Sequence, residues 1–170
     1  MVSNISAKRL RWVASIRSDL DALVSARPLH DRARTIVAQQ DPSLASYLDM
    51  LRSQMLALGI RRQLKTDSRS ITVAGLVADL VARPDGGEPL STGIVRDDPV
   101  RGGPAEELRD ALRAVKTRAQ SAESYADRSL AHADRRSPAV PSREDLEAVL
   151  DAVVELFERV AAIVEGRAFQ

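Results

Sequence analysis

Apolar residues recur every three to four positions along most of the chain, and no stretch shows the alternation typical of a strand. The first apolar stripe consists of Val13, Ile16, Leu20 and Leu23. It stops at Arg27-Pro28, where the proline predicts the end of a first helix. A short second helix is expected from about residue 30 to residue 39.

Asp41-Pro42 predicts the start of a longer helix, because aspartate caps helix N-termini and proline suits the first helical position. The apolar stripe of this helix consists of Leu44, Leu48, Leu51, Met55 and Leu58. The pattern continues to about Leu64, and residues 71–81 predict a shorter helix that ends before Pro84.

Residues 84–103 hold five of the eight glycines and three prolines, which predicts a flexible loop within the domain. Pro104 then starts a helix that is expected to run to about Ala133. Its core stripe is predicted to be Leu108, Leu112, Val115, Ala119, Ala126, Leu130 and Ala133. Ser142 to Asp145 resembles a capping box and predicts the last helix. The whole chain, 1–170, is thus expected to be one all-α domain, an antiparallel bundle of four to five main helices.

Composition narrows the classes of function. With a net charge of +1, the chain as a whole is not expected to bind polyanions such as nucleic acids through its overall charge. An aromatic content of 3% disfavours surfaces on which bases stack. The absence of cysteine excludes disulfides and thiolate chemistry and is compatible with the cytoplasm. No apolar run is long enough for a membrane span. No P-loop, dinucleotide-binding glycine motif or zinc motif occurs, so we expect neither cofactor nor metal.

Helical projection places candidate chemistry beside the core stripe of the helix that starts at Pro104. Four side chains fall in one band on its shoulder, namely Arg118, Tyr125, Arg128 and His132. Because Arg128 and His132 are four residues apart, they are neighbours, and a guanidinium beside an imidazole suits phosphate chemistry. The alternative is a solvated band in which His132 interacts only with the helix dipole. Asp134 projects roughly 160° away from His132, which disfavours a metal site.

Two basic runs offer further candidates. Arg61, Arg62 and Lys65 lie at the predicted end of the long helix, where they form either one wall of an anionic groove or a solvated helix end. Lys8, Arg9 and Arg11 form either a solvated first turn or a nucleic-acid contact. His30-Asp31 is interpreted as a helix start with no catalytic role.

Residues 125–134 carry the sequence YADRSLAHAD. This stretch resembles the tail motif of the abortive-infection AbiU-type family, a helical branch of the HEPN-like proteins. The residues that match the family pattern are Tyr125, Asp127, Ala131, His132 and Asp134, with Arg128 in the place of a lysine. The resemblance implies a helical bundle that forms a homodimer and belongs to a prokaryotic defence or toxin–antitoxin type of system.

In HEPN proteins that are nucleases, an arginine and a histidine from each subunit face one RNA phosphate without a metal ion. The resemblance therefore implies His132 as acid and base, but the position of the arginine falls on Ala126, which carries no charge. Arg128 is the nearest substitute, with one residue fewer between it and His132 than the family spacing requires.

Three functions follow as hypotheses. The favoured one is a dimer that binds RNA, a nucleotide or a protein partner such as an antitoxin through Tyr125, Arg118, Asp127, Asp134, Arg62 and Lys65. The second is a metal-independent ribonuclease that uses His132 and Arg128 across the dimer interface. The third is a structural helical module.

Overall fold

The computed structural model describes residues 4–66, 70–83, 104–127 and 140–168, and within them it contains helices and no strand. The five helices are α1 (Asn4–Ala38), α2 (Pro42–Leu64), α3 (Val73–Ala82), α4 (Pro104–Tyr125) and α5 (Arg143–Ala168). The expected all-α bundle is confirmed. The predicted loop at 84–103 lies outside the described residues.

Local capping explains where three of the helices begin. The Asp41 carboxylate accepts the backbone N–H groups of Ser43 at 2.9 Å and Leu44 at 3.0 Å, as the Asp41-Pro42 pair predicts. The Ser142 hydroxyl accepts the N–H of Asp145 at 3.0 Å, so the predicted capping box is also formed. Thr72 caps α3 by accepting from Gly75.

The core lies where α3 is enclosed by the four longer helices. Helix α1 packs on α2 and α5, while α4 packs on α2, α3 and α5. The buried side chains include Ile16 of α1, Leu56 and Ile60 of α2, Leu76 of α3, and Leu150 and Phe157 of α5. The predicted stripe of α4 is confirmed in the described part, with Leu108, Val115, Ala119 and Ala126 buried and Leu112 partly buried.

The prediction that the first helix ends at Arg27-Pro28 is wrong, because α1 continues through Pro28 to Ala38. Residues 28–36 of α1 bury little apolar surface, and Leu29 and Ile36 are both exposed. Ion pairs hold this part of α1 instead, since Arg27 binds α5 and Arg34 binds α2. These tertiary contacts outweigh the local cost of a proline inside a helix.

The apolar stripe that predicts α2 does not face the core. Leu44, Leu51, Met55 and Leu58 are all exposed, whereas the buried side of α2 carries Ala45, Arg52, Ser53, Leu56, Ala57, Ile60, Gln63 and Leu64. Helix α2 is therefore apolar on two sides, and only one of them is used within the bundle.

Buried polar groups connect the helices at both ends of the core. Arg9 is buried and donates to the Asp79 carboxylate at 2.8 Å and to the Arg83 carbonyl at 2.7 Å, at the end of α3. Gln63 donates to Asp19 and accepts from the N–H of Val73, both at 3.3 Å. Arg9 is thus neither part of a solvated first turn nor free for nucleic acid, contrary to both sequence alternatives. No helix among the described ranges combines the length and apolar character needed to cross a membrane.

Replacing Pro28 with alanine is expected to raise the free energy of unfolding by about 1–3 kcal/mol, because alanine restores the backbone N–H that the Val24 carbonyl lacks. Chemical denaturation measures this change. The control is Leu29→Ala, which alters the neighbouring exposed side chain and should change stability by less than about 0.5 kcal/mol. A loss of stability in Pro28→Ala would contradict the prediction and show that the bundle needs the proline geometry at this turn.

Candidate functional site

A cleft of about 790 Å³ opens between α1, α2, the end of α4 and the start of α5. Its lining residues are Asp31, Arg34, Thr35, Asp49, Met50, Ser53, Tyr125, Val140, Arg143 and Glu144. Its volume lies within the range of small-molecule sites, and its wall mixes cations, carboxylates and apolar side chains. It therefore offers both donors and acceptors to one ligand.

Two ion pairs form the charged wall of the cleft. Arg143 at the start of α5 donates to Asp31 of α1 at 2.7 Å, and Arg34 of α1 donates to Asp49 of α2 at 2.7 Å. Burial pushes the pKa of Asp31 upward, but the hydrogen bond and charge of Arg143, assisted by His30, outweigh this and lower the pKa. The Asp31 carboxylate is thus held as an anion, and the guanidinium groups of Arg34 and Arg143 both approach Asp49, at 2.7 Å and 3.8 Å.

His30 lies behind this wall with only 11% of its side chain exposed. One N–H of Arg143 points to His30 Nδ1 at 3.2 Å, so in the neutral imidazole the hydrogen belongs on Nε2. Nε2 lies 3.5 Å from Asp49 Oδ1, and neither atom has a hydrogen-bond partner. The cleft wall therefore holds an unused donor and an unused acceptor next to each other.

A buried ion pair supports the wall from below. The Arg52 guanidinium, with 2% of its side chain exposed, donates to Glu147 of α5 at 2.8 Å and 3.0 Å and to the Leu23 carbonyl of α1 at 2.9 Å. The other oxygen of Glu147 accepts from Arg27 at 2.8 Å. One carboxylate thus joins α1, α2 and α5 directly under the cleft.

The predicted band on α4 is divided in the structure. Tyr125 is buried and lines the cleft, whereas Arg118 is exposed and lies outside the cleft. After Tyr125 the helix widens into a π turn at Ala126 and Asp127, so projection on a regular α-helix does not extend past this point. Arg128, His132 and Asp134 lie outside the described residues, and their predicted roles remain predictions.

The basic end of α2 meets the beginning of the 125–134 motif. Arg61 forms an ion pair with Asp127, while Arg62 binds Asp19 of α1 at 3.1 Å and Lys65 is exposed. The basic end of α2 and the 125–134 motif, which the sequence analysis treated separately, are therefore neighbours. Their contact is made by Arg61 and not by Arg62 or Lys65.

The acidic side of this junction includes a second carboxylate on α4. Burial and the neighbouring charge of Asp127 raise the pKa of Glu123, while Lys116 and Arg61 act in the opposite direction. Arg61 and Arg62 are thus paired with acidic side chains of their own chain, while Arg62 and Lys65 remain exposed. The predicted role of Arg62 and Lys65 in an anionic groove stays a prediction.

Sequence reasoning missed Asp49 and Arg143, which line the cleft, and the buried or partly buried residues that contact the same helices, His30, Arg52 and Glu147. His30 was assigned to a helix start, but it lies inside α1 because the helix continues through Pro28. The only local signal was the spacing of His30 and Arg34, which places both on one helical face. Asp49 and Arg143 come from other helices, and no motif connects them.

The described residues contain no cluster of three or more histidine, cysteine, aspartate or glutamate side chains able to hold a metal ion. No family model, no curated protein and no solved structure matches this chain.

Replacing Glu147 with leucine is expected to lower the free energy of unfolding by about 3–5 kcal/mol, because it leaves the buried Arg52 cation without a counter-ion. Urea denaturation measures the loss, and the double variant Arg52→Met with Glu147→Leu should recover most of it. The control is Asp110→Asn, which breaks the exposed pair with Arg113 and should change stability by less than about 1 kcal/mol. A single variant as stable as the wild type would contradict the buried pair.

The contact between Asp31 and Arg143 should make the cleft sensitive to acid. A lowered pKa means that the contact stabilises the fold fully above the ordinary pKa of aspartate, and that this stability is lost as the pH falls through the lowered value. In Arg143→Gln the pKa of Asp31 should rise towards its ordinary value, as followed by NMR titration of the carboxyl carbon. Arg113→Gln, far from the contact, should leave it unchanged. Equal Asp31 pKa values in wild type and Arg143→Gln would refute the assignment.

Proposed function

We propose that this chain is a HEPN-like helical protein of a prokaryotic defence or toxin–antitoxin type of system, which acts as a homodimer and binds a nucleotide or an RNA end in the cleft. The observation that supports the proposal most directly is the position of Tyr125. The first residue of the motif that resembles the AbiU-type family lines the same cleft as Arg34 and Arg143.

The chemistry of the wall matches a nucleotide better than it matches a protein surface. The two guanidinium groups present hydrogen-bond donors suited to phosphate oxygens. Asp49 lines the cleft, where its carboxylate can accept from a ribose hydroxyl, and the Tyr125 hydroxyl can donate or accept. Because Asp31 and Asp49 already balance the two cations, binding should depend on ligand shape as well as on charge.

Binding rather than cleavage is the function that the residues favour. The family position of the catalytic arginine is Ala126, which is fully buried and carries no charge. The proposed roles of His132 and Arg128 in a ribonuclease rest only on the resemblance to the family. A protein partner such as an antitoxin remains compatible with the exposed surfaces, but a concave cleft of this size favours a small ligand.

Equilibrium binding of nucleotides and short RNA at about 50 mM salt tests the proposal. Arg34→Gln and Arg143→Gln should each weaken binding about tenfold to one hundredfold, the range expected for a lost charge-assisted hydrogen bond. Tyr125→Phe should weaken it less, because only the hydroxyl is removed. The matched control is Arg113→Gln, which removes an exposed arginine of α4 outside the cleft and should leave the affinity unchanged.

Two results would overturn the proposal. One is the absence of any nucleotide or RNA binding by the wild type at low salt. The other is binding that Arg113→Gln weakens as much as the two cleft variants do, which would indicate a nonspecific charge effect. Incubation with RNA in EDTA adds a separate outcome, since cleavage that disappears in His132→Ala would establish catalysis in place of binding.

A further inference from the structure

Helix α2 carries most of the exposed apolar surface in the described part of the chain. Six of the eleven large hydrophobic side chains that are exposed there belong to it, with Leu44 at 44%, Tyr47 at 51%, Met50 at 42%, Leu51 at 36%, Met55 at 52% and Leu58 at 46%. Single exposed apolar residues are normal on protein surfaces, but a continuous stripe along one helix marks an interaction site.

The spacing of this stripe is that of a coiled-coil seam. Leu44, Leu48, Leu51, Met55 and Leu58 follow steps of four, three, four and three residues, which is a heptad repeat of apolar a and d positions over roughly 20 Å of helix. We define these five residues as the α2 seam. They project away from the buried face of α2, so the bundle leaves four of them exposed and covers only Leu48 in part.

We propose that the α2 seam is the surface through which two copies of this chain associate, with α2 packed antiparallel against α2 of the second copy. A helix with the same repeat is the natural partner for a heptad seam, because side chains of one helix then fill the holes of the other. No charged side chain interrupts the seam between Leu44 and Leu58, so a second copy meets no like-charge repulsion there.

Charge at the two ends of the seam determines the orientation. Arg62 lies at the next heptad position of α2 and also pairs with Asp19, while Lys65 directly follows the helix and Asp41 directly precedes it as the N-cap. In a parallel pair, Arg62 and Lys65 would face their own copies and repel. In an antiparallel pair with Leu51 opposite Met55, Leu48 lies opposite Leu58, and Asp41 lies opposite Lys65. Opposite charges then meet at both ends.

The proposed function includes a homodimer, and this inference rests on that part of it. It adds the surface through which the two copies associate. The two can fail independently, because the cleft variants remove ligand contacts and the seam variants remove none. A monomeric protein that still binds a nucleotide would refute the α2 seam and the homodimer but leave the binding site in place. A dimer without any ligand would refute the binding site alone.

Light scattering of the full chain should give the mass of a dimer, twice 18.5 kDa, and Leu51→Glu with Met55→Glu should halve it. The matched control is Leu29→Glu with Ile36→Glu, which places two glutamates at exposed apolar positions of α1 and should leave the dimer intact. Circular dichroism confirms that the variants stay folded. A monomeric wild type, as expected if another segment of the chain or a different protein covers the seam, would overturn the proposal.

Engineered cysteines test the orientation without destabilising the interface, since the chain has none of its own. In an equimolar mixture of Leu48→Cys and Leu58→Cys proteins, oxidation should link one variant to the other, whereas each variant alone should stay largely unlinked. Efficient linkage within each single variant would overturn the antiparallel arrangement. A dimer that no seam cysteine can link would show that the interface lies elsewhere.

Discussion

The ion pair between Arg52 and Glu147 is the contact on which the rest of the architecture depends. It is buried, and it connects the middle of α2 to the start of α5, while further hydrogen bonds join Arg52 to Leu23 and Glu147 to Arg27 of α1. A buried pair contributes little net stability compared with apolar residues of the same size, but it fixes which groups must meet. It therefore sets the register in which α1, α2 and α5 pack. The cleft above it, with its second set of ion pairs, follows from that register.

Local sequence signals were enough to predict most of the helices. They failed where contacts between residues distant in sequence determine the helix bounds or the buried face. The caps at Asp41 and Ser142 act within one turn, so the sequence alone identifies them. The predicted end of the first helix at Pro28 was wrong. A proline destabilises a helix locally, but the ion pairs of Arg27 and Arg34 with residues far along the chain offset that cost. The apolar stripe of α2 predicted the helix but did not identify the face that meets the core, for a related reason. Its exposed stripe is more apolar than its buried side, which includes Arg52, Ser53 and Gln63, and periodicity cannot tell which of two faces the core will cover.

In the candidate site, too, residues marked by a local pattern could be predicted, and residues brought together only by folding could not. Tyr125 was selected from a motif and from its place on the shoulder of the α4 stripe, and it is buried and lines the cleft. Arg118 belonged to the same projected band, yet it is exposed, because a band on a helix spans both covered and uncovered turns. His30, Asp49 and Arg143 come from three helices, and only the folded chain brings them together. Ion-pair partners of this kind leave no spacing pattern in the sequence, so the charged wall could not have been predicted.

Helix α2 serves the core, the cleft and the proposed dimer on different sides. Asp49 and Ser53, which line the cleft, project roughly 140–180° from Leu44 at the start of the α2 seam, so a second copy packed on the seam leaves the cleft open. An antiparallel pair also places the two Arg61–Asp127 contacts roughly 24 Å apart along the helix axis, because Arg61 lies eight residues from the centre of the seam. Two copies of the 125–134 motif that begin so far apart suit two separate binding sites. A composite nuclease centre needs both motifs at one phosphate, which a parallel pair would favour. The orientation of α2 in the proposed dimer thus bears directly on whether the proposed function is RNA binding or RNA cleavage.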